Sequence, residues 1–217
     1  MNLEHIESKK VLVRFDFNVP MDGDRIVNDF RIKQSLETIY KLLDKNNKIL
    51  IASHLGRPKE GKFDKTLSLR PICIYLSELI DKKIKFIDTW PDKIDFEDYQ
   101  VAMLENVRFN IGEKSCSEEL SEKISSYVDC FVFDAFGVSH RQECTTYGVS
   151  KYLETYLGIN IQNEIQTIKK LINENSKPMT IIISGAKVST KLIVIKKLLN
   201  KCDYMILGGG ILNTFLK

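Results

Sequence analysis

The sequence has no hydrophobic run of membrane-spanning length, no Cys-x-x-Cys pair and no large excess of charge. No window approaches the roughly 18 apolar residues of a transmembrane helix, and the first ten residues lack a signal-peptide core. The five cysteines have no metal-ligand spacing with the three histidines. The net charge of +3 is too small to indicate a nucleic-acid surface. We therefore expect a cytoplasmic protein with reduced cysteines and with neither a membrane nor a nucleic-acid partner.

Arginine is also scarce, because only 7 of the 32 basic residues are arginine and none lies beyond Arg141. The chain uses lysine for its ordinary surface charge. The positions that keep arginine are therefore candidates for contacts that need a rigid, bidentate guanidinium.

What the 217 residues contain is an alternation of apolar runs of strand length with segments of helical period. This alternation predicts a Rossmann-like α/β fold, a parallel sheet with helices on both faces. The predicted strands are 11–15, 48–53, 84–87, 101–104 and 130–134, and the predicted helices are 32–43, 69–82 with Ser68 as N-cap, and 117–128.

The last third of the chain repeats this pattern once. Residues 161–175 have helical period, and after Pro178 come a strand at 179–183, a helix ending near Leu199 and a strand at 204–207. A single βαβ unit leaves a sheet edge and helix faces uncovered. We expect residues 1–160 to form one domain, a connecting helix to lie within 161–177, and residues 178–217 to begin a second α/β domain that is incomplete.

Polar side chains follow each predicted strand of the first domain. In an open parallel sheet, ligands bind beyond the carboxyl ends of the strands. Four of the seven arginines and two of the three histidines fall there: Arg31, Arg57, Arg108, Arg141, His54 and His140. Each arginine alone is explained by a surface ion pair. Together, in an arginine-poor chain, they indicate a small polyanionic ligand.

Two further charged residues receive structural interpretations. Asp134 follows a strand, where a carboxylate more often caps the next turn than binds a metal. Arg14 lies inside a strand, which favours a buried structural ion pair over contact with a ligand.

Seven segments resemble, in order and spacing, the motifs of the phosphoglycerate kinase family. They are VLVRFDFNVP, NDFRI, SHLGRP, LENVRF, FDAFGVSHR, ISGAKVSTK and LGGGILNTFLK. The similarity covers essentially the whole chain. It implies reversible phosphoryl transfer between 1,3-bisphosphoglycerate and ADP, giving 3-phosphoglycerate and ATP in glycolysis.

The resemblance implies a role for each loop of the first domain. Asp16 and Asn18 would bind the hydroxyl-bearing part of 3-phosphoglycerate, with Phe17 fixing the turn, and Arg31 would act catalytically at the transfer end. Its phosphate would be held by His54, Arg57, Arg108 and Arg141, and Leu55 and Gly56 would also belong to the substrate-binding residues.

The nucleotide, ATP or ADP with Mg²⁺, would bind at Gly185, Lys187, Lys191 and Gly209, with Lys191 as a second catalytic residue. Glycine allows phosphate to approach the backbone, and a helix N-terminus favours anions. Judged without the family, the same segment is equally well explained as a plain β–α turn. No protein ligand to a metal is implied.

Two hypotheses of different class remain open. The chain either belongs to a phosphoglycerate kinase, a monomer if complete, or is a truncated and inactive 3-phosphoglycerate-binding module. A dinucleotide-binding domain is a weaker third alternative, because no GxGxxG with a following acidic residue occurs after a strand.

Overall fold

The computed structural model describes residues 3–173, 177–186, 188–189 and 191–215. It divides the chain into two compact units, Met1–Glu164 and Ile165–Lys217. We call them unit 1 and unit 2. The domain limits at 160 and 177 stay a prediction.

Unit 1 is built around a six-stranded parallel sheet and carries a short antiparallel hairpin. Its strands are β1 (Lys10–Phe15), β2 (Met21–Asp22), β3 (Arg25–Ile26), β4 (Lys48–Ala52), β5 (Ile84–Ile87), β6 (Val101–Leu104), β7 (Cys130–Asp134) and β8 (Glu154–Leu157). Its helices are α1 (Phe30–Gln34), α2 (Leu36–Leu43), α3 (Arg70–Leu79), α4 (Glu118–Ser125) and the first part of α5 (Ile159–Asn173). Short 3₁₀ turns occupy Leu3–His5, Lys65–Leu67, Val107–Phe109, Phe136–Val138 and Gly148–Lys151.

The strand order is β5-β6-β4-β1-β7-β8, with every neighbouring pair parallel. From β1 the chain first passes to β4 on one side and later crosses to β7 on the other. The crevice beyond the carboxyl end of β1 is therefore the topological switch point, where ligands bind in open α/β sheets.

Both faces of the central strands are buried. Val11 and Val13 of β1 belong to a core cluster that also contains residues of α2 and α3. Leu12, which points to the other face, is fully buried as well. Burial on both faces explains why these strands are continuous apolar runs rather than alternating ones. The predicted Rossmann-like α/β fold is confirmed.

Local sequence sets several helix ends. Ser117 accepts a hydrogen bond from the backbone N–H of Leu120 at 3.4 Å and caps α4. The predicted helix at 32–43 is two helices, because the chain turns at Ser35, whose hydroxyl donates to the carbonyl of Ile32 at 2.7 Å. The N-cap of α3 is Leu69 rather than Ser68, although the Ser68 hydroxyl oxygen still accepts from the N–H of Arg70.

Two elements have no counterpart in the predictions. The β2–β3 hairpin is too short to show periodicity, and the edge strand β8 contains only one buried residue, Tyr156. Edge strands give weak apolar patterns because one side of each lacks a partner strand.

Unit 2 contains the rest of α5, the parallel strands β9 (Thr180–Ser184) and β10 (Tyr204–Gly208), and helices α6 (Leu192–Leu199) and α7 (Gly210–Phe215). Its small core joins Ile183, Ile195 and Ile211, one from β9 and one from each of α6 and α7. This is the predicted βαβ unit. Among the described residues, no helix has both the length and the apolar character needed to cross a membrane.

Candidate functional site

The loops at the carboxyl edge of the unit 1 sheet are joined by one hydrogen-bonded network. Arg31 donates to the Asp16 carboxylate at 2.8 Å, and the other Asp16 oxygen accepts from the N–H of Asn18. The side-chain oxygen of Asn18 accepts from the N–H of Gly56 at 2.9 Å, and the Gly56 carbonyl accepts from Arg108 at 2.9 Å. These contacts connect the loops that follow β1, β4 and β6.

The network continues to the loop after β7 through Glu143. One carboxylate oxygen of Glu143 accepts from Arg108 at 3.3 Å and from Arg141 at 3.4 Å. Arg108 and Glu143 are buried, whereas Arg141 is half-buried. Glu143 therefore links Arg108 and Arg141, two of the arginines predicted to hold the phosphate. Since Glu143 lies in a loop without periodic pattern, its sequence position carried no signal of this role.

Ser53 also joins the loops after β1 and β4. Its hydroxyl donates to the carbonyl of Phe15 and accepts from the N–H of Phe17, both at 2.9 Å. The Phe17 ring is buried and stacks on Phe15, with 5.3 Å between ring centroids. Leu55 is buried in the same core. The predicted contacts of Phe17 and Leu55 with a ligand must therefore use their backbone atoms.

Two glycines provide room at this edge. Gly56 has a φ of +62°, which favours glycine, and a Cβ there would lie 2.6 Å from a methyl carbon of Leu67. A Cβ on Gly137 would lie 2.7 Å from an Asp16 carboxylate oxygen. Larger residues at either position would displace the loop or the carboxylate.

His54 lies in the centre of the basic cluster. Its ring is buried, and its Nδ1 lies 3.2 Å from Nη2 of Arg14. Burial, followed by the positive charges of Arg14, Arg108, Arg141 and Arg31, lowers the pKa of His54 to about 2. The imidazole is therefore neutral, and the four arginines act on the same small volume.

The prediction that Arg14 forms a buried ion pair is wrong. Arg14 is fully buried, but its guanidinium donates to the Phe15 carbonyl and faces His54, and no carboxylate of the described chain lies within ion-pair distance. Its Nε atom has no acceptor among the described residues. Burial lowers the pKa of Arg14, and Glu113, where it is ionised, and Glu143 oppose that shift from farther away. Arg14 is thus a buried arginine beside the predicted substrate residue His54, at a position that periodicity assigned to the core; its arginine identity was the available signal.

The exposed arginines sit at the rim. Arg57 is exposed and has no hydrogen-bond or ion-pair partner among the described residues. Arg31 is 48% exposed, and with Asp16 it lines a cavity of about 180 Å³. His140, in the loop after β7, is exposed.

Asp134 acts as a cap, as the sequence indicated, but it caps a distant helix and not the turn after its own strand. One oxygen accepts from the N–H of Ile161 at 2.8 Å, in the first turn of α5, and the other accepts from the hydroxyl of Thr38 at 2.6 Å. Burial raises the pKa of Asp134, and these hydrogen bonds oppose that shift. Asp134 therefore ties α5 to the sheet.

The predicted nucleotide residues of unit 2 lie at the carboxyl ends of β9 and β10. The Gly185 carbonyl accepts from the N–H of Ile211 at 3.1 Å, so the two loops touch. Gly209 has a φ of +60°, and a Cβ there would lie 3.1 Å from the Gly185 oxygen. A Cβ on Gly185 would lie 3.6 Å from the Lys191 ammonium nitrogen. Gly185, Lys191 and Gly209 are thus neighbours, whereas Lys187 falls outside the described residues.

These loops fit an anionic phosphate, because they combine accessible backbone with an ammonium group. They do not supply a carboxylate for Mg²⁺. In the described part of unit 2 the one acidic residue is Asp203, which precedes β10 at the opposite end of the strand and pairs with Lys177 at 3.4 Å.

The fold and the network define an α/β protein with a convergent arginine cluster at the carboxyl edge of its sheet. The family model for phosphoglycerate kinase matches residues 1–217. This chain belongs to the phosphoglycerate kinase family, and the expected resemblance is confirmed.

Individual relatives and solved structures point to the same family. The chain is 47% identical over 213 residues to a phosphoglycerate kinase of Francisella tularensis subsp. holarctica, covering 98% of this chain and 54% of the relative. The solved phosphoglycerate kinase of Coxiella burnetii superposes with a TM-score of 0.85 at 40% identity, covering 97% of this chain and 54% of that one. That of Pyrococcus horikoshii OT3 gives 0.83 at 29% identity, with 96% and 55% covered. The chain spans about half the length of the relatives it matches.

Proposed function

We propose that unit 1 binds 3-phosphoglycerate as the substrate half of a phosphoglycerate kinase. The kinase reaction moves a phosphoryl group reversibly between 1,3-bisphosphoglycerate and ADP, giving 3-phosphoglycerate and ATP. The observation that carries the proposal is the hydrogen-bonded network from Arg31 to Arg141, which draws four loops of an arginine-poor chain to one sheet edge.

The phosphate end of the ligand would lie against Arg57, Arg108, Arg141 and His54. Forked guanidinium donors match phosphate oxygens in geometry and charge. Arg57 has no partner to give up within the part of the chain that the structure describes, and Glu143 holds Arg108 and Arg141 in place before a ligand arrives. Preorganised donors of this kind lower the entropy cost of binding.

The carboxyl end would lie near Arg31 and Asp16. Their ion pair is partly exposed, and such pairs contribute only about 0–1 kcal/mol. Replacing Asp16 by a ligand oxygen as the partner of Arg31 therefore costs little free energy. An arginine beside a transferring phosphoryl group stabilises charge on its oxygens, an effect of roughly 10³–10⁵ in rate in enzymes of this kind. The acceptor oxygen is already ionised, so no general base is needed.

The nucleotide phosphates would contact the loops of Gly185 and Gly209, with Lys191 placed to neutralise the transferred group. Mg²⁺ would reach this site bound to the nucleotide. A role for Lys187, a place in glycolysis, a cytoplasmic location and a monomeric state all stay predictions.

Binding without turnover is the second candidate, and it is favoured by the location of the whole Arg31–Arg141 network within unit 1. A coupled assay of the purified chain with 1,3-bisphosphoglycerate, ADP and Mg²⁺ separates the two. ATP formation above background supports the kinase, and its absence together with retained 3-phosphoglycerate binding supports the binding module.

The shared premise is tested by calorimetric titration with 3-phosphoglycerate. We expect Arg57→Ala to weaken binding about 10- to 100-fold, since a charged hydrogen-bond donor to phosphate is lost. The matched control is Arg25→Ala. Arg25 is also exposed but pairs with Asp22 in the β2–β3 hairpin, so its loss should leave the affinity unchanged. Equal affinities for both variants and the unmodified chain would contradict the proposal.

A further inference from the structure

The contact between Arg14 and His54 determines which nitrogen of the imidazole carries the proton. Nη2 of Arg14 lies 3.2 Å from Nδ1 of His54, and both side chains are buried. A guanidinium has five N–H donors and no acceptor. Nδ1 must therefore accept the hydrogen bond and carry no proton. Because a neutral imidazole has a single N–H, that group is at Nε2.

The surroundings keep the ring neutral. Protonation would place an N–H on Nδ1 directly against the Arg14 donor, inside a cluster that also contains Arg108 and Arg141. Burial and these charges hold the pKa of His54 at about 2. The only donor that the His54 ring can offer an anion is thus Nε2–H.

The sheet holds the Arg14 guanidinium in this position. Arg14 is on the central strand β1, in register with Ala52 of β4 and Phe133 of β7. A second donor, Nη1, is directed at the Phe15 carbonyl at 3.4 Å. A buried charge whose Nε finds no acceptor among the described residues lowers stability, so core packing does not explain an arginine here.

We propose that Arg14 is a positioning residue that acts through His54, holding Nδ1 as an acceptor so that Nε2–H is presented to the substrate phosphate. The inference rests on the proposed function for the contact of His54 with substrate, but not for the tautomer. Lysine cannot replace Arg14, because its ammonium lacks the planar fork that reaches Nδ1 and the Phe15 carbonyl together.

The tautomer is measured without any ligand by nitrogen-15 NMR of the chain labelled at histidine. The His54→Gln variant identifies the His54 signals among the three histidines. We expect an unprotonated, hydrogen-bonded Nδ1 and a protonated Nε2 in the unmodified chain, and a mixture of tautomers in Arg14→Lys. A proton on Nδ1 in the unmodified chain would overturn the inference, and so would unchanged His54 signals in a folded Arg14→Lys variant.

A double-mutant cycle on 3-phosphoglycerate affinity then tests the route of action. Arg14→Lys should weaken binding about tenfold in the unmodified chain, the loss of roughly one oriented hydrogen bond. It should add nothing when His54 is already glutamine. An equal loss in both backgrounds would show that Arg14 acts independently of His54. Arg25→Lys, the same change at an exposed arginine, is the control and should be neutral.

The NMR measurement and the affinity measurement also distinguish a failure of this inference from a failure of the proposed function. If the unmodified chain does not bind 3-phosphoglycerate, the proposed function fails, while the NMR result still decides whether Arg14 sets the tautomer. If the chain binds but the tautomer is the opposite one, only the role of Arg14 is wrong.

Discussion

The two units contain strands of similar composition in different surroundings. In unit 1, Ile51 of β4 is fully buried within a sheet covered on both faces. In unit 2, Ile183 of β9 is buried, but its neighbour Ile182 is 71% exposed. On β10, Tyr204 is 64% exposed and Ile206 is 52% exposed. An apolar run therefore specifies a strand, whereas the layers packed on each face decide what that strand contributes to stability.

The largest expected effect comes from truncating one isoleucine in each unit. Ile51→Ala should lower the free energy of unfolding by about 2–5 kcal/mol, because it removes buried surface and leaves a cavity. Ile182→Ala should change it by less than about 0.5 kcal/mol. Urea titration followed by circular dichroism measures unit 1, and hydrogen exchange of the 180–184 peptide reports on unit 2 separately. Comparable losses in both strands would remove the contrast.

The buried charges of unit 1 give a second contrast, in the pH dependence of stability. Glu113 is fully buried and accepts from the hydroxyl of Thr145 at 2.6 Å, and burial raises its pKa to about 7 from an ordinary 4.5. Between these values the folded chain keeps a proton that the unfolded chain releases. From pH 5 to 8 the unmodified chain should therefore lose roughly 1–3 kcal/mol of stability relative to Glu113→Gln.

Unit 2 supplies the control for that measurement. A backbone hydrogen bond from Met179, followed by Lys177, lowers the pKa of Asp203 below its ordinary 3.8. Asp203 is therefore ionised in both the folded and unfolded states from pH 5 to 8. Asp203→Asn should leave the pH slope unchanged over that range. A slope that is the same in Glu113→Gln and the unmodified chain would show that Glu113 is already ionised when folded.

The smallest expected effect concerns the division of binding between the units. Lys191→Ala should change the affinity for 3-phosphoglycerate less than about twofold, because Lys191 belongs to unit 2 while the substrate network lies within unit 1. Calorimetry under the conditions used for Arg57→Ala gives the comparison. A loss as large as that of Arg57→Ala would show that the substrate also depends on unit 2.

Most of the secondary structure was predictable because these elements follow local rules. Strand β7 occupies 130–134, as its apolar run predicts, and Ser117 caps α4 from the sequence position expected for an N-cap. The predictions were wrong where a hydrogen bond of a single side chain changed the structure that the local sequence pattern indicates. The Ser35 hydroxyl divides one predicted helix into two, and Asp134 caps a helix that begins 25 residues later rather than its own turn.

The sequence alone determined the α/β order of elements, the family and the set of loops that carry arginine. These properties depend on apolar period and on residue identity, both of which are local. Only the tertiary structure decided which partner each charge meets. Arg14 faces His54 rather than a carboxylate, and Glu143, not recognisable beforehand, braces Arg108 and Arg141. Such pairings join strands and loops far apart in the chain, and their geometry exists only once parallel strands bring their carboxyl ends to one edge.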